Sequence, residues 1–156
     1  MSYKNLTTYV TRFIEVYLSS DQSISSDSAT LVSFDTIRGD SGHGVSLVSG
    51  GNGRIRLSAN NHYYIRGITA LDKDSASAPF SARWYDTSGT ELTAAAGAFR
   101  SHPTYYSGSN DQYESVYNQL IVNLTSDTDY DLKIDGETGT LKSDGSFLII
   151  IEMSES

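Results

Sequence analysis

A run of five apolar residues, Phe-Leu-Ile-Ile-Ile at 147–151, constrains the fold more than any other stretch of this sequence. Gly145 and Ser146 precede it, and three consecutive isoleucines favour the β-pleat over a helix. A short β-branched run without polar alternation is typical of a strand that is covered on both faces. The run therefore predicts a central strand of a β fold.

The predicted core combines this run with strands that alternate between apolar and polar positions. We expect the following side chains to be mostly buried: Ile55, Leu57, Ile65, Phe80, Trp84, Leu120, Val122, Leu132, Phe147, Ile149 and Ile151. Because Ile149 lies in the middle of the run, Ile149→Asp is expected to put a charge in the core and prevent soluble folding.

Composition indicates a single all-β domain. A chain of 156 residues can bury a core without disulfides, and this one contains no cysteine. The 13 Gly and 11 Tyr, with only 2 Pro, are typical of many short strands joined by polar turns. The net charge of −8 argues against nucleic acid as a partner, because backbone phosphates attract clustered Lys and Arg. No stretch has the pattern of a membrane span or a secretion signal, so no membrane partner is expected.

Turn-forming residues recur about every 8–12 residues and divide the sequence into roughly eight to ten strands, which indicates a sandwich, a barrel or a jelly roll. Residues 1–8 are predicted to be a polar N-terminal arm, and residues 9–156 a single domain. Residues 9–18 fit both a strand and a helical stripe, and residues 29–38 are predicted to form one strand. Residues 93–114 form the longest predicted loop, of a length that is often functional.

Two short motifs resemble catalytic or metal sites. Gly-Asp-Ser-Gly at 39–42 has the local pattern of a trypsin-like nucleophile, but those enzymes place their His and Asp upstream, and all three histidines here follow it. A turn between strands explains it better. The acidic residues at 127–131 lack the Gly and the Glu that a calcium loop needs at its sixth and twelfth positions. Alternating Asp on the solvent face of a strand is preferred there, with weak ion binding left open. The histidines lack metal-ligand spacing. No catalytic residue, metal ligand or cofactor is predicted.

Aromatic residues are concentrated among Ser, Gly, Asn and Asp in and after the 93–114 loop. Such a composition combines rigid contact area with adaptable hydrogen bonding, as in antibody paratopes. We predict that a partner or a neighbouring subunit is contacted by Phe99, Tyr105, Tyr106, Tyr113 and Tyr117. The alternative is that these rings only cover the core or pack at a subunit seam.

The order of these patterns resembles a known family. Val-Ser-Phe-Asp at 32–35, a Gly-rich turn, Ile-Arg-Leu at 55–57 and an aromatic strand around 63–65 are similar to the trimeric jelly roll of tumour necrosis factor and the globular heads of complement. The ending at 129–153 is also similar, with a polar strand, a Gly-rich connector and a final apolar strand, although Leu-Ile-Ile stands where that family has a Gly. The resemblance implies an all-β, jelly-roll β-sandwich that forms a homotrimer.

Domains that resemble this family also occur as small virion proteins of tailed bacteriophages, which implies a structural function without catalysis. We expect a trimeric capsid decoration (cement) protein that is made in the host cytoplasm, resides in the virion and contacts the major capsid protein or another virion protein. The alternative is a carbohydrate- or receptor-binding head of a tail or capsid fibre, which would bind a cell-surface glycan through residues 94–114. An enzyme is the least favoured class, because catalytic jelly rolls usually carry a His/Glu metal cluster and none is visible here.

Overall fold

The computed structural model describes residues 9–25, 27–49, 52–73, 80–92, 98–99, 113–136 and 138–155. These residues form thirteen strands and no helix, so none of them belongs to a helix that could cross a membrane. In order, the strands are β1 (Tyr9–Tyr17), β2 (Gln22–Ile24), β3 (Thr30–Leu31), β4 (Thr36–Gly39), β5 (Val45–Leu47), β6 (Ile55–Leu57), β7 (Asn61–Lys73), β8 (Ser81–Asp86), β9 (Ala98–Phe99), β10 (Tyr113–Asn123), β11 (Thr128–Asp135), β12 (Gly139–Leu141) and β13 (Phe147–Glu155).

The strands form two antiparallel sheets, as the all-β sandwich prediction requires. The larger sheet has eight strands in the order β2-β12-β7-β13-β1-β4, with β10 along the other edge of β7 and β9 beside β10. The smaller sheet has five strands in the order β3-β11-β6-β5, with β8 also paired to β11. Each sheet therefore has one face toward the core and one outer face.

The final apolar run lies in the middle of the larger sheet. β13 pairs with β1 over the whole of both strands, and its other edge pairs with β7. The predicted central strand is confirmed in this respect. The pairing also settles the ambiguity at residues 9–18, because β1 is a strand and the helical interpretation is wrong.

The core between the sheets contains most of the side chains that were predicted to be buried. Alternation is clearest where the outer face of a strand is charged, as in β6 and β11, because the apolar residues of that strand must then face the core. The confirmed positions are Ile55, Leu57, Ile65, Phe80, Trp84, Leu120 and Leu132, and Val122 is partly buried against them.

The prediction that Phe147, Ile149 and Ile151 face the core is wrong. Leu148 and Ile150 are completely buried, whereas Ile149 is 38% exposed. Phe147 and Ile151 are half-buried on the same outer face as Ile149. A sandwich has only two layers, so a central strand still has one face toward the core, and among the described residues nothing forms a third layer over this outer face.

The predicted single strand at 29–38 is also wrong. It is divided into β3, which pairs with β11 in the smaller sheet, and β4, which pairs with β1 in the larger sheet. Val32 and Phe34, between the two strands, are buried in the core. The apolar residues of this stretch were therefore recognised correctly, but the segment crosses from one sheet to the other.

The turn between β5 and β6 depends on backbone conformations that suit Asn and Gly. Asn52 has a φ of 49° and Gly53 a φ of 102°. A Cβ at Gly53 would lie 2.2 Å from the carbonyl oxygen of Val32, which is backbone and has little room to move. Gly50 and Gly51, which precede Asn52, lie outside the described residues.

Candidate interaction surface

The outer face of the larger sheet carries most of the exposed large apolar side chains. Phe13, Tyr117, Ile121, Ile149 and Met153 all lie on this face, as the pairing register shows, and Val10 is the one further exposed large hydrophobic residue in the described chain. Contiguous apolar surface of this kind marks an interaction site more often than scattered single residues do. We call it the apolar face, and it is built from rows of residues that run across β10, β7, β13 and β1.

The first row is apolar and aromatic from end to end. Tyr117 on β10 lies opposite Ile68, which lies opposite Phe147, which in turn lies opposite Tyr17 on β1. Directly opposed residues of antiparallel strands have their side chains on the same face, close enough to interact. The row therefore forms one band that runs across four strands.

The second row contains charged groups. Arg66 lies between Gln119 and Ile149, with its guanidinium 5.5 Å from the centre of the Tyr117 ring. At the β1 end, Glu15 Oε2 accepts a hydrogen bond from Arg38 Nε at 3.0 Å. This exposed ion pair raises the pKa of Arg38 through hydrogen bonding and charge attraction from Glu15.

The third row is apolar again. Ile121 on β10, Tyr64 on β7, Ile151 on β13 and Phe13 on β1 lie opposite one another. Its two ends are the most open, with Ile121 45% exposed and Phe13 58% exposed. β4 ends at Gly39, and the Phe13 amide bonds to the Asp40 carboxylate beyond it. β4 therefore ends before it reaches Phe13, and the residue beside Phe13 is Asp40 in the turn that follows.

A pocket of 330 Å³ opens between the first and second rows. Ile68, Tyr117, Phe147, Ile149 and Arg66 line it. Its walls are mainly apolar, and the Arg66 guanidinium gives it one polar side. The pocket belongs to the same surface as the exposed rows.

The outer face of the smaller sheet has the opposite character. Arg54 donates to both carboxylate oxygens of Asp131 at 2.8 and 2.9 Å, and Arg56 donates to those of Asp129 at 2.7 and 2.9 Å. The hydrogen bonds from Arg56 lower the pKa of Asp129, and the hydrogen bonds to Asp131 raise the pKa of Arg54. These forked pairs already use two of the three aspartates of the calcium-like pattern, and the third, Asp127, accepts a hydrogen bond from the Ala59 amide at 2.9 Å.

The Gly-Asp-Ser-Gly stretch is a turn that connects β4 to β5. Asp40 accepts a hydrogen bond from the Phe13 amide at 3.0 Å, and its own amide donates to the Phe13 carbonyl at 3.1 Å. His43 Nδ1 accepts from the Val45 amide at 3.2 Å. Asp40 therefore fixes the turn to β1 rather than orienting a histidine. No group of three or more potential metal-binding side chains occurs among the described residues.

A buried carboxylate at the end of β13 was not predicted. Glu152 is 1% exposed, and it accepts hydrogen bonds from Arg12 Nη1 at 3.2 Å and from the Gly44 amide at 2.6 Å. A buried charge needs partners of this kind. Its contacts join the turn before β5 to β1 and β13.

The predicted contact residues are described only in part. Tyr117 lies on the apolar face and is 50% exposed. Phe99 is in β9 and Tyr113 is in β10, but their side chains lie outside the described structure, as do Tyr105 and Tyr106 altogether. Sequence analysis missed the other members of the apolar face. The signal that could have found them is the presence of apolar residues on both faces of β1 and β13.

Comparison with known proteins identifies the fold. No family model matches the sequence, and no curated protein matches it. Among solved structures, murine APRIL at pH 5.0 superposes with a TM-score of 0.59 at 18% identity, covering 91% of this chain and 98% of that one. Eiger TNF from S. frugiperda superposes with a TM-score of 0.57 at 11% identity, covering 95% and 94%. The chain has the two-sheet jelly-roll fold of tumour necrosis factor-like proteins.

Proposed function

We propose that this chain is a homotrimeric interaction module without catalytic activity, and that its apolar face is the seam between subunits. The observation that carries the proposal is the concentration of exposed apolar side chains on one face of the larger sheet. An apolar surface of several strands marks an interaction site, and most soluble oligomers are symmetric assemblies of identical chains. The similarity to tumour necrosis factor-like jelly rolls supports a trimer in particular.

The charged outer face of the smaller sheet supports an orientation of the subunits in which the apolar faces meet and the smaller sheets lie outside. If the apolar faces meet at a common axis, the Arg54–Asp131 and Arg56–Asp129 pairs lie on the outside of the assembly. In both pairs the arginine is the more exposed partner and lies over a largely covered aspartate, so the surface that this face presents to water is charged. One face would therefore serve assembly and the other would face water or a further partner.

We further propose that the trimer is a decoration protein on a bacteriophage capsid, with the major capsid protein or another virion protein as its partner. The resemblance to small virion jelly rolls supports this proposal. Docking would use residues 1–8 and the edges of the sheets, since an extended segment can add to an open strand edge.

The oligomeric state is measured by size exclusion with light scattering at micromolar concentration. We expect a mass of about 51 kDa, which is three times the chain mass of 17.0 kDa. A monomer at 17.0 kDa would remove the trimer and the seam together.

The proposed position on the capsid is tested by mass spectrometry of phage particles purified from a host that expresses the chain. We expect a fixed copy number per particle, reduced by deletion of residues 1–8 while the free protein stays trimeric. Particles without the wild-type chain would contradict the capsid proposal. Saturable glycan binding by a trimer that is absent from capsids would favour a carbohydrate-binding head instead.

A further inference from the structure

The pocket on the apolar face combines an apolar groove with a single positive charge. We propose that it binds a small amphiphilic monocarboxylate, with the carboxylate on Arg66 and the apolar chain along β7. Its volume of 330 Å³ lies at the small end of the range of ligand pockets, and mainly apolar walls with few polar groups are typical of such sites.

The groove follows β7 between two neighbouring strands. Ile68 forms its floor, because the cross-strand neighbours of Ile68 on β10 and β13 stand on either side of it and also line the pocket. Arg66, two residues away on the same face of β7, lies at one end. In the other direction Ala70 lies opposite Ser115, and both side chains are small. From Arg66 to Ala70 the strand extends about 13 Å, which suits a straight chain of roughly ten carbons.

Arg66 supplies the charge that selects a carboxylate. Its guanidinium lies 5.5 Å from the centre of the Tyr117 ring, and this contact keeps it beside the pocket. No ion pair joins Arg66 to another residue in the described part of the chain. Glu15, in the same row, lies two strands away, about 10 Å at a strand spacing of about 4.8 Å, and already accepts from Arg38. A guanidinium in this position matches the two oxygens of a carboxylate.

The proposed seam gives a second reason for an anion at Arg66. If the apolar faces of three copies meet, each copy brings this guanidinium into the interface, and covering a charge without a partner is costly. A bound carboxylate would offset that charge while its chain fills the groove. This second reason rests on the proposed trimer, whereas the groove and its charge belong to a single chain.

Calorimetric titration with sodium decanoate tests the site, and decanol serves as the uncharged ligand of the same chain length. We expect saturable binding of one decanoate per chain, at least about tenfold tighter than decanol, because a hydrogen bond to a charged group contributes that much. Equal affinity for the two ligands would overturn the inference, and so would the lack of saturable decanoate binding.

Three variants locate the binding. Arg66→Gln removes the charge, so it should weaken decanoate binding about tenfold or more and leave decanol binding unchanged. Arg56→Gln is the matched control, because it removes an exposed arginine from the smaller sheet and should bind decanoate as the wild type does. Ile68→Trp fills the groove and should abolish binding of both ligands, with the folding of each variant checked by circular dichroism. Undiminished decanoate binding by Arg66→Gln would mean adsorption to the apolar face as a whole and would reject the site.

Light scattering of the same samples separates this inference from the trimer. A trimer that fails to bind decanoate would reject the pocket ligand and leave the trimer intact. A monomer that binds decanoate with the expected dependence on Arg66 would reject the seam and keep the pocket ligand.

Discussion

Ile149 and Ile150 are neighbours of the same residue type with opposite surroundings. Ile150 is completely buried between the sheets, and Ile149 lies on the apolar face. We expect Ile150→Asp to cost more than about 4 kcal/mol, because it buries an unpaired charge, and to leave no soluble folded protein. Ile149→Asp is expected to cost a single subunit less, about 1–3 kcal/mol, since the side chain reaches water but lies opposite Glu15 in a central strand.

Expression, circular dichroism and light scattering distinguish the two variants. Ile149→Asp should give a folded chain that no longer forms trimers, and the conservative Ile149→Val serves as its control. An insoluble Ile149→Asp beside a folded Ile150→Asp would show that the two faces of β13 have been exchanged.

Asp21 makes the free energy of unfolding depend on pH in the acid range. A side-chain hydrogen bond from Lys142, with further bonds from Ser143, lowers the pKa of Asp21 from 3.8 to about 2. Because the folded pKa is the lower one, the ionised carboxylate stabilises the folded state above about pH 4, and this contribution is lost as the pH falls toward 2. Asp21→Asn should therefore reduce the urea midpoint at pH 7 and flatten its decline between pH 4 and 2.

The matched control for this measurement is Asp27→Asn, an exposed position in the turn before β3. An Asp21→Asn variant whose urea midpoint has the same pH dependence as the wild type would mean that the tie between the β1–β2 connection and the β12–β13 turn does not form in solution.

Glu152 explains why the direction of β13 could not be predicted. In a run of apolar residues, the nearest polar residue is the natural marker of the solvent side. Here that marker is buried, because its cross-strand neighbour Arg12 and the Gly44 amide donate hydrogen bonds to its carboxylate. Taking Glu152 as exposed assigns Ile149 to the core and Ile150 to the surface, which reverses the observed arrangement. Partners more than a hundred positions away in the sequence cannot be inferred from local alternation.

The β5–β6 hairpin should be unusually sensitive at Gly53. Its φ of 102° and the short distance from its Cβ position to the Val32 carbonyl combine backbone strain with a clash. We expect Gly53→Ala to cost about 2–5 kcal/mol. Gly89→Ala is the control, because Gly89 also has a positive φ but its Cβ position has no atom within 4 Å, so about 1–2 kcal/mol of backbone strain is expected.

Chemical denaturation of both variants checks this difference. Equal losses at Gly53 and Gly89 would show that the contact with Val32 contributes nothing and that backbone conformation alone decides the cost.

Strand direction was predictable wherever one face of a strand is charged. Arg56 in β6 and Lys133 in β11 mark the outer face of the smaller sheet, so the intervening apolar residues had to face the core. The larger sheet lacks this signal, because the apolar face continues across β1 and β13. Because the apolar face puts apolar residues on both sides of these strands, the alternation that would have shown which side faces the core is absent. Tyr117 was found from composition, whereas placing Phe13 and Ile121 on the same face as Tyr117 needed the strand register.

At the level of the whole molecule, the fold class was predictable from the spacing of turns and the final apolar strand. The crossing of residues 29–38 between sheets was not, because Val32 and Phe34 are buried whether the strand is continuous or divided. Nor could the sequence indicate that β13 lies between the first strand and the seventh. Such pairings depend on the competition of all strands for a shared core.

The position of β13 has a consequence for the timing of folding during synthesis. β13 separates β1 from β7, yet it follows every other strand in the sequence, and Arg12 and Glu152 are 140 residues apart. At about 5–20 residues per second, the ribosome needs on the order of 10 s to synthesise this interval. Until β13 is made, β1 keeps an open edge, and so does β7 once it has been synthesised. The larger sheet is therefore completed after translation of β13 rather than strand by strand, and the nascent chain is most exposed to chaperones and to aggregation just before that strand emerges.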